Sequence, residues 1–336
     1  MKKYFLFTFL ITVLFSACKQ EEIFINEYPQ FGKYLFSSEN KIYQYLPETK
    51  TVEIILNSLP SSVSKIKYFR GYYYLLLPDA KSIYIIREKT FEIVSKVDYS
   101  FLDITPIDIC FPNATDAYVL HNESQVTILD LTNFKVANAV MKIGKAPAAI
   151  AGAGNQVYIC CQGDDMIYTI DTRTNSVVNT IKVSTSPSFL EFNYEGTTAF
   201  IVCTGADISS GEKTQAVVEV VDVSRKEVID IIRLGYNEFV AKETLPTGIA
   251  VSSKNVYISA SNNIWRLSLP SAKLSSVSNK TPCKSVGYDK KHNEFYLLRD
   301  DSNSGNDIDL IIYDNSNNKK KYTYSISQNI GAIISQ

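Results

Sequence analysis

A pattern of four short strands recurs about every forty residues along this chain, and that period constrains the fold more than any other feature. From Lys145 the chain reads "KAPAAIAGAGNQVYICCQGDDMIYTIDTRTNSVVNTIKV". Ala148 to Ala151 is small and apolar, Val157 to Cys161 is apolar with an aromatic, and Met166 to Ile170 alternates before a turn leads into Ser176 to Val183. The same grammar runs upstream from "TPIDICF" and downstream from "SPSFLEF", "LPTGIAV" and "TPCKSVG". The prolines that open the units mark the spacing: 41 residues from Pro106 to Pro147, 40 to Pro187, 59 to Pro246 and 36 to Pro282. No segment sustains a helical period of 3.6 residues, so a helical solenoid is excluded. The expected fold is all-β: a propeller of four-stranded blades, each stable only against its neighbours.

Counting the blades depends on the degenerate ends. Val63 to Val97 supplies a second blade, while Lys33 to Leu56 supplies a first with three strands only, lacking the innermost one. The seventh, from Pro282 to about Ile326, contains all four. The last residues, "NIGAIISQ", share the small and apolar character of the innermost strands. Seven blades are therefore predicted, with Ile330 to Ser335 filling the vacancy in blade 1 beside Lys33 to Phe36 and leaving no open ring edge.

Over Gln156 to Val183 the chain resembles a YVTN-type (YncE-like) propeller repeat, whose strands read V-Y-V-x-N, V-x-V-I-D and T-x-x-V-x-x-T-I. The resemblance is strongest over 145–183, clear over 105–143 and 186–234, and weaker elsewhere. The G-H and W-D signatures of WD40 repeats are absent.

The N-terminus predicts export. "MKK", the apolar run "YFLFTFLITVLF" and then "SAC" have the order of a charged region, a hydrophobic region and a small-residue cleavage site. The run is too short to span a bilayer core of about 30 Å. "FSAC" resembles a bacterial lipobox, with Phe15 where leucine is commoner, so Cys18 would be lipidated and become the first residue of the mature protein. The expected layout is a signal peptide over 1–17, a lipidated tether over 18–29 and one propeller domain over 30–336. "KQEE" (Lys19 to Glu22) resembles the export signal of surface lipoproteins of Bacteroidota; a featureless solvated tether is the alternative. The chain carries a formal charge of −1, with 34 basic and 35 acidic side chains, which gives no basic excess for nucleic acid. Its membrane contact is expected to come from the lipid anchor alone.

Residues that could carry chemistry are few. An aspartate ends the third strand of several units (Asp130, Asp171, Asp222, Asp314) and opens a turn, where its side chain bonds the backbone two residues on. Of six cysteines, five remain after Cys18: Cys110, Cys160, Cys161, Cys203 and Cys283, all in predicted strands and without C-x-x-C spacing for zinc. Two histidines exist, His121 and His292, on different blades; a Ser-His-Asp triad would have to use one of them. No phosphate loop or calcium loop is present, so no cofactor is expected.

Extra residues gather in the loops between second and third strands and between blades, which leave a propeller on one face. "CTGADISSGEKTQ" (Cys203 to Gln215), "GYNEFVAKETL" (Gly235 to Leu245) and "RDDSNSGND" (Arg299 to Asp307) exceed the minimal repeat, joined by "DYSFLDIT", "HNESQ" and "QGDD". Candidate ligand contacts at this mouth are Tyr99, Phe101, Tyr236 and Phe239 as aromatic rings, with His121, Asn122, Asp164, Asp165, Arg299, Asp300 and Asp301 as polar groups. No catalytic residue is assigned. The resemblance implies a lipid-anchored outer-membrane protein facing the cell exterior, because propeller lipoproteins of Bacteroidota include ones that capture vitamin B12 or siderophores for a TonB-dependent transporter. The expected ligand is a small molecule of that kind or a glycan. Two other readings stay open: a scaffold for protein or cell-wall partners, and a lactonase-like hydrolase relying on His121 or a bound metal.

Overall fold

The computed structural model describes residues 34–336, less short stretches at 47–48, 50, 207–209, 236–243, 262, 270, 280–282, 290–292, 301–307, 327–329 and 336. The predicted signal peptide, the lipidation site Cys18 and the tether lie outside the described residues.

The strands form seven four-stranded antiparallel blades, as the repeat requires. Each blade is named here in chain order, and its strands run from first at the axis to fourth at the rim. First strands lie at Ile330–Ser335 in blade 1, Lys65–Phe69 in blade 2, Pro106–Cys110 in blade 3, Pro147–Ala153 in blade 4, Pro187–Phe192 in blade 5, Pro246–Val251 in blade 6 and Cys283–Asp289 in blade 7. Blade 1 draws its first strand from the C-terminal end, as expected. The paired stretch lies further along than the expected Lys33 to Phe36: Ile333 stands opposite Phe36, Ala332 opposite Ser37 and Ile330 opposite Ser38. The ladder therefore reaches Ser38, and Lys33 lies outside the described residues. The same strand also pairs in parallel with blade 2, Ile334 with Ile66 and Ser335 with Lys67, so blades 1 and 2 share one continuous ladder.

Alternation along the strands explains where the core sits. Successive side chains point to opposite faces of a blade, so each blade offers one apolar set to the blade before it and one to the blade after. Cys160 joins Leu190, Ile201 and Cys203 between blades 4 and 5, while its neighbour Cys161 joins Leu120, Val126 and Ile150 between blades 3 and 4. Similar apolar layers lie between blades 2 and 3, 5 and 6, and 6 and 7, and one spans blades 7, 1 and 2. All five cysteines beyond Cys18 are buried free thiols in these layers, and burial pushes the Cys161 thiol up to about 12. Trp265 packs between blades 5 and 6.

A buried aromatic recurs at one level of the second strand in blades 2 to 7: Tyr74, Tyr118, Tyr158, Phe200, Tyr257 and Tyr296. Opposite them on the first strands stand Lys67, Cys110, Ala151, Glu191, Ala250 and Gly287. Blade 7 shows why small residues dominate there, since a Cβ on Gly287 would lie 2.3 Å from the Tyr296 ring. The aspartates that end third strands fill the turn role expected of them. Asp130, Asp171, Asp222 and Asp314 each accept the backbone N–H two residues on, at 2.7 to 2.9 Å.

Candidate functional site

Loops between second and third strands meet the loops that join blades on one face. Asn122 N donates to Thr105 O at 3.0 Å, Gln162 N to Ala146 O at 2.9 Å, Thr204 N to Ser186 O at 3.0 Å, and Ser261 N to Leu245 O at 2.8 Å. Those four contacts hold the two sets of loops side by side around blades 3 to 6 and form the mouth.

Among the described residues, Phe101 is the aromatic that the mouth presents most openly, with 71% of its surface exposed. It sits in a single 3-10 turn, Ser100–Leu102, fastened at both ends. At the start, Asp98 Oδ1 accepts Ser100 N at 2.9 Å and Ser100 Oγ at 2.5 Å, and these bonds, with Lys96, hold the Asp98 carboxyl down at about 2. At the end, Asp103 takes a left-handed φ of 55° and its carboxylate pairs with Lys81. Leu102 beside it is exposed, as is Leu245 in the loop between blades 5 and 6. Asn122 is also exposed at the mouth.

Two sequence candidates are drawn inward instead. Tyr99 is fully buried between blades 2 and 3, its ring edge-on to His121 at 4.7 Å. His121 is likewise buried, and its Nε2 lies 2.9 Å from Thr127 Oγ1. Burial holds the His121 imidazole down at about 4, partly opposed by the Glu123 carboxylate. The second strand of blade 3 extends through His121, which pairs with Pro106, so the residue belongs to the blade and not to the loop after it. A substrate at the mouth has no access to this imidazole, and His292 lies outside the described residues.

The acidic candidates divide. Asp164 Oδ2 accepts Lys145 N at 2.6 Å and Tyr168 Oη at 3.1 Å. Asp165 Oδ1 accepts Ser186 N at 2.9 Å, and its other oxygen lies 3.6 Å from Lys182 Nζ. Both carboxylates are thereby engaged in fastening the loops of blade 4. Arg299 pairs with the buried Asp309 inside blade 7, and Asp309 also accepts Ser325 Oγ at 2.6 Å. Asp300 ends the second strand of that blade opposite Ile308. Tyr236, Phe239 and Asp301 lie outside the described residues.

Four charged side chains outside the loops stand on the first strands of blades 2, 3 and 5, around the axis. Lys65 Nζ lies 2.7 Å from Asp108 Oδ2, joining blades 2 and 3. Lys67 Nζ lies 3.8 Å from Glu191 Oε1, joining blade 2 to blade 5 across the axis. Asp108 also accepts Ile150 N at 3.3 Å. The signal was present in "KIKYF", "PIDIC" and "PSFLEF", where a charge interrupts strands that are otherwise apolar or small.

No protein-family model matches the chain, and no curated protein matches it. Solved structures do. Hydrazine synthase of Kuenenia stuttgartiensis is similar with a TM-score of 0.61 and 15% identity, covering 74% of this chain and 76% of that one. The structure of U3-55K is similar with a TM-score of 0.63 and 11% identity, covering 80% of this chain and 84% of that one. At such identities the likeness is one of fold alone, and the fold it supports is the seven-bladed β-propeller.

Proposed function

We propose that this protein is a lipid-anchored binding propeller of a bacterial outer membrane, facing outward, that captures a small nutrient at its mouth for a TonB-dependent transporter. The ligand class is a cobalamin, an iron siderophore or a glycan, each large enough to lie across several loops. The observation that carries the reading is Phe101, an exposed ring on a turn fastened at both ends. Folding gains little from an aromatic left in water, whereas a ligand face stacked on it gains both apolar burial and orientation. The lipobox-like "FSAC" and the "KQEE" after it support the anchor and the outward placement.

Saturation binding of cobalamins, iron siderophores and glycans to the purified protein tests the proposal. One class should bind, and Phe101→Ala should weaken it about tenfold, or about 1.4 kcal/mol, while the melting temperature stays unchanged. Silence from all three classes would remove nutrient capture. A second reading, a scaffold for a protein partner, draws on the same face, because Leu102 and Leu245 are exposed there beside Phe101.

A further inference from the structure

The turns on the face away from the mouth share one geometry. In blades 2, 3, 4, 5 and 7 the turn into the fourth strand closes through a backbone hydrogen bond to the carbonyl four residues back. The donors are Phe91, Phe134, Asn175, Lys226 and Asn318, at 2.8 to 2.9 Å, and each is left-handed, with φ of 51° to 58°. Turns so alike place their tips at one level of the ring. An exposed basic side chain stands at or directly beside each tip: Lys89, Lys135, Arg173, Arg225 and Lys319 in those blades, and Lys273 after the left-handed Ala272 in blade 6.

The acids of the same turns point back into the ring. Asp130, Asp171, Asp222 and Asp314 each hold the backbone N–H two residues on, and Glu88 is buried. Arg173 and Arg225 rest on the aspartates that open their own turns, at 2.6 and 3.8 Å. Exposed pairs of this kind are weak, so another anion can compete for both cations. Among the described residues, the exposed acids of this face are Glu92, Glu195 and Glu227, fewer than the six basic tips. Net charge hides the asymmetry, because the chain as a whole carries −1. Apolar side chains reach water beside the same turns. Tyr194 in a first-to-second turn, with Ile93, Val177, Ile229 and Tyr322 near the starts of fourth strands, are 40% to 54% exposed.

We propose that the face opposite the mouth docks on an anionic bilayer, its basic turn tips meeting lipid phosphates and its exposed apolar side chains lying among the headgroups. Cations on flexible stems beside aromatic and branched side chains suit that boundary. A soluble polyanion would use the charge and leave the apolar residues in water. Tyr34 lies on this face, its Oη donating to Glu294 Oε2 at 2.9 Å where the second strand of blade 7 begins. It follows the proposed lipid at Cys18 by sixteen residues, which span at most about 55 Å. The ring itself supplies the contact, so the proposal shares only its setting with the lipid anchor and stands without it.

Cosedimentation of the purified chain carrying Cys18→Ala with phosphatidylcholine vesicles, with and without phosphatidylglycerol, tests this free of any lipid on the protein. Phosphatidylglycerol should strengthen binding about tenfold or more, and raising sodium chloride from about 0.05 M to about 0.5 M should reverse the gain by screening. Lys89→Gln, Lys135→Gln and Lys319→Gln together should weaken binding to the anionic vesicles about tenfold or more, since each basic head near such a surface contributes about fivefold. The triple Lys142→Gln, Lys145→Gln and Lys213→Gln at the mouth removes the same charge and should leave binding within about twofold. All chains share one N-terminus, so differences among them report the ring. Equal loss in both triples, no gain from phosphatidylglycerol, or a gain that survives high salt would overturn the docking. Tyr194→Ser with Ile229→Ser should weaken vesicle binding about threefold or more while binding of dextran sulfate stays unchanged. Full vesicle affinity in that pair would overturn the bilayer in favour of a soluble acidic polymer.

Discussion

At the scale of single residues, His121 carries a consequence for stability. Its folded imidazole titrates at about 4 against an ordinary 6.5, because burial disfavours the charged form. The unfolded chain therefore binds the proton first as pH falls, and stability from this group is complete above about pH 6.5 and lost on the way down to about 4. The loss is on the order of 3 kcal/mol. Urea unfolding of wild type and His121→Leu between pH 7 and 4 measures it; parallel curves for the two proteins would show that His121 contributes no such slope. The inward turn of Tyr99 was legible in principle. Val97 and Tyr99 continue one two-residue period past the end of the strand, and both are buried. Within "DYSFLDIT" the strand ends at Asp98 while its alternation does not. Phe101, two residues further, breaks away because the 3-10 turn lifts it out.

At the scale of elements, the repeat made nearly all of the fold readable. Strand length, turn aspartates and the aromatic of each second strand are local signals repeated blade after blade, and a period can be checked against itself. The C-terminal strand was legible for the same reason, through the small and apolar run "IGAIIS". The stretch of blade 1 it pairs with was not, because a strand arriving from the far end of the chain has no turn to fix its offset from Tyr34–Ser38. Three pairs with blade 1 and two with blade 2 now hold it. Deleting residues 329–336 should expose the inner edges of both blades and lower the melting temperature by about 10 °C or more. A thermal scan showing the same midpoint as wild type would refute the closure. The charged positions on first strands were not legible because they are spread over blades 2, 3 and 5, far apart in the chain. Only the ring brings Lys67 of blade 2 to Glu191 of blade 5.

At the scale of the whole molecule, the ring distributes its core into layers between blades, so each blade depends on two neighbours and the last must meet the first. That closure also sets a direction. Tyr34 begins a second strand, and second strands run toward the mouth, as the contact of Leu59 N with Asn40 O at the far end of the first hairpin indicates. Tyr34 itself therefore lies at the opposite face, where its Oη donates to Glu294. With the proposed lipid at Cys18, the shorter turns on that side would rest toward the bilayer. On intact cells, a bulky impermeant maleimide should label Phe101→Cys several-fold faster than Glu195→Cys in an opposite-face turn, with the native thiols silent in their layers. Equal rates would reject this orientation. Under the proposed anchoring, a tether fixed at the foot of the ring would work as a mooring: it would keep the mouth turned toward the medium even without any contact devoted to aiming it.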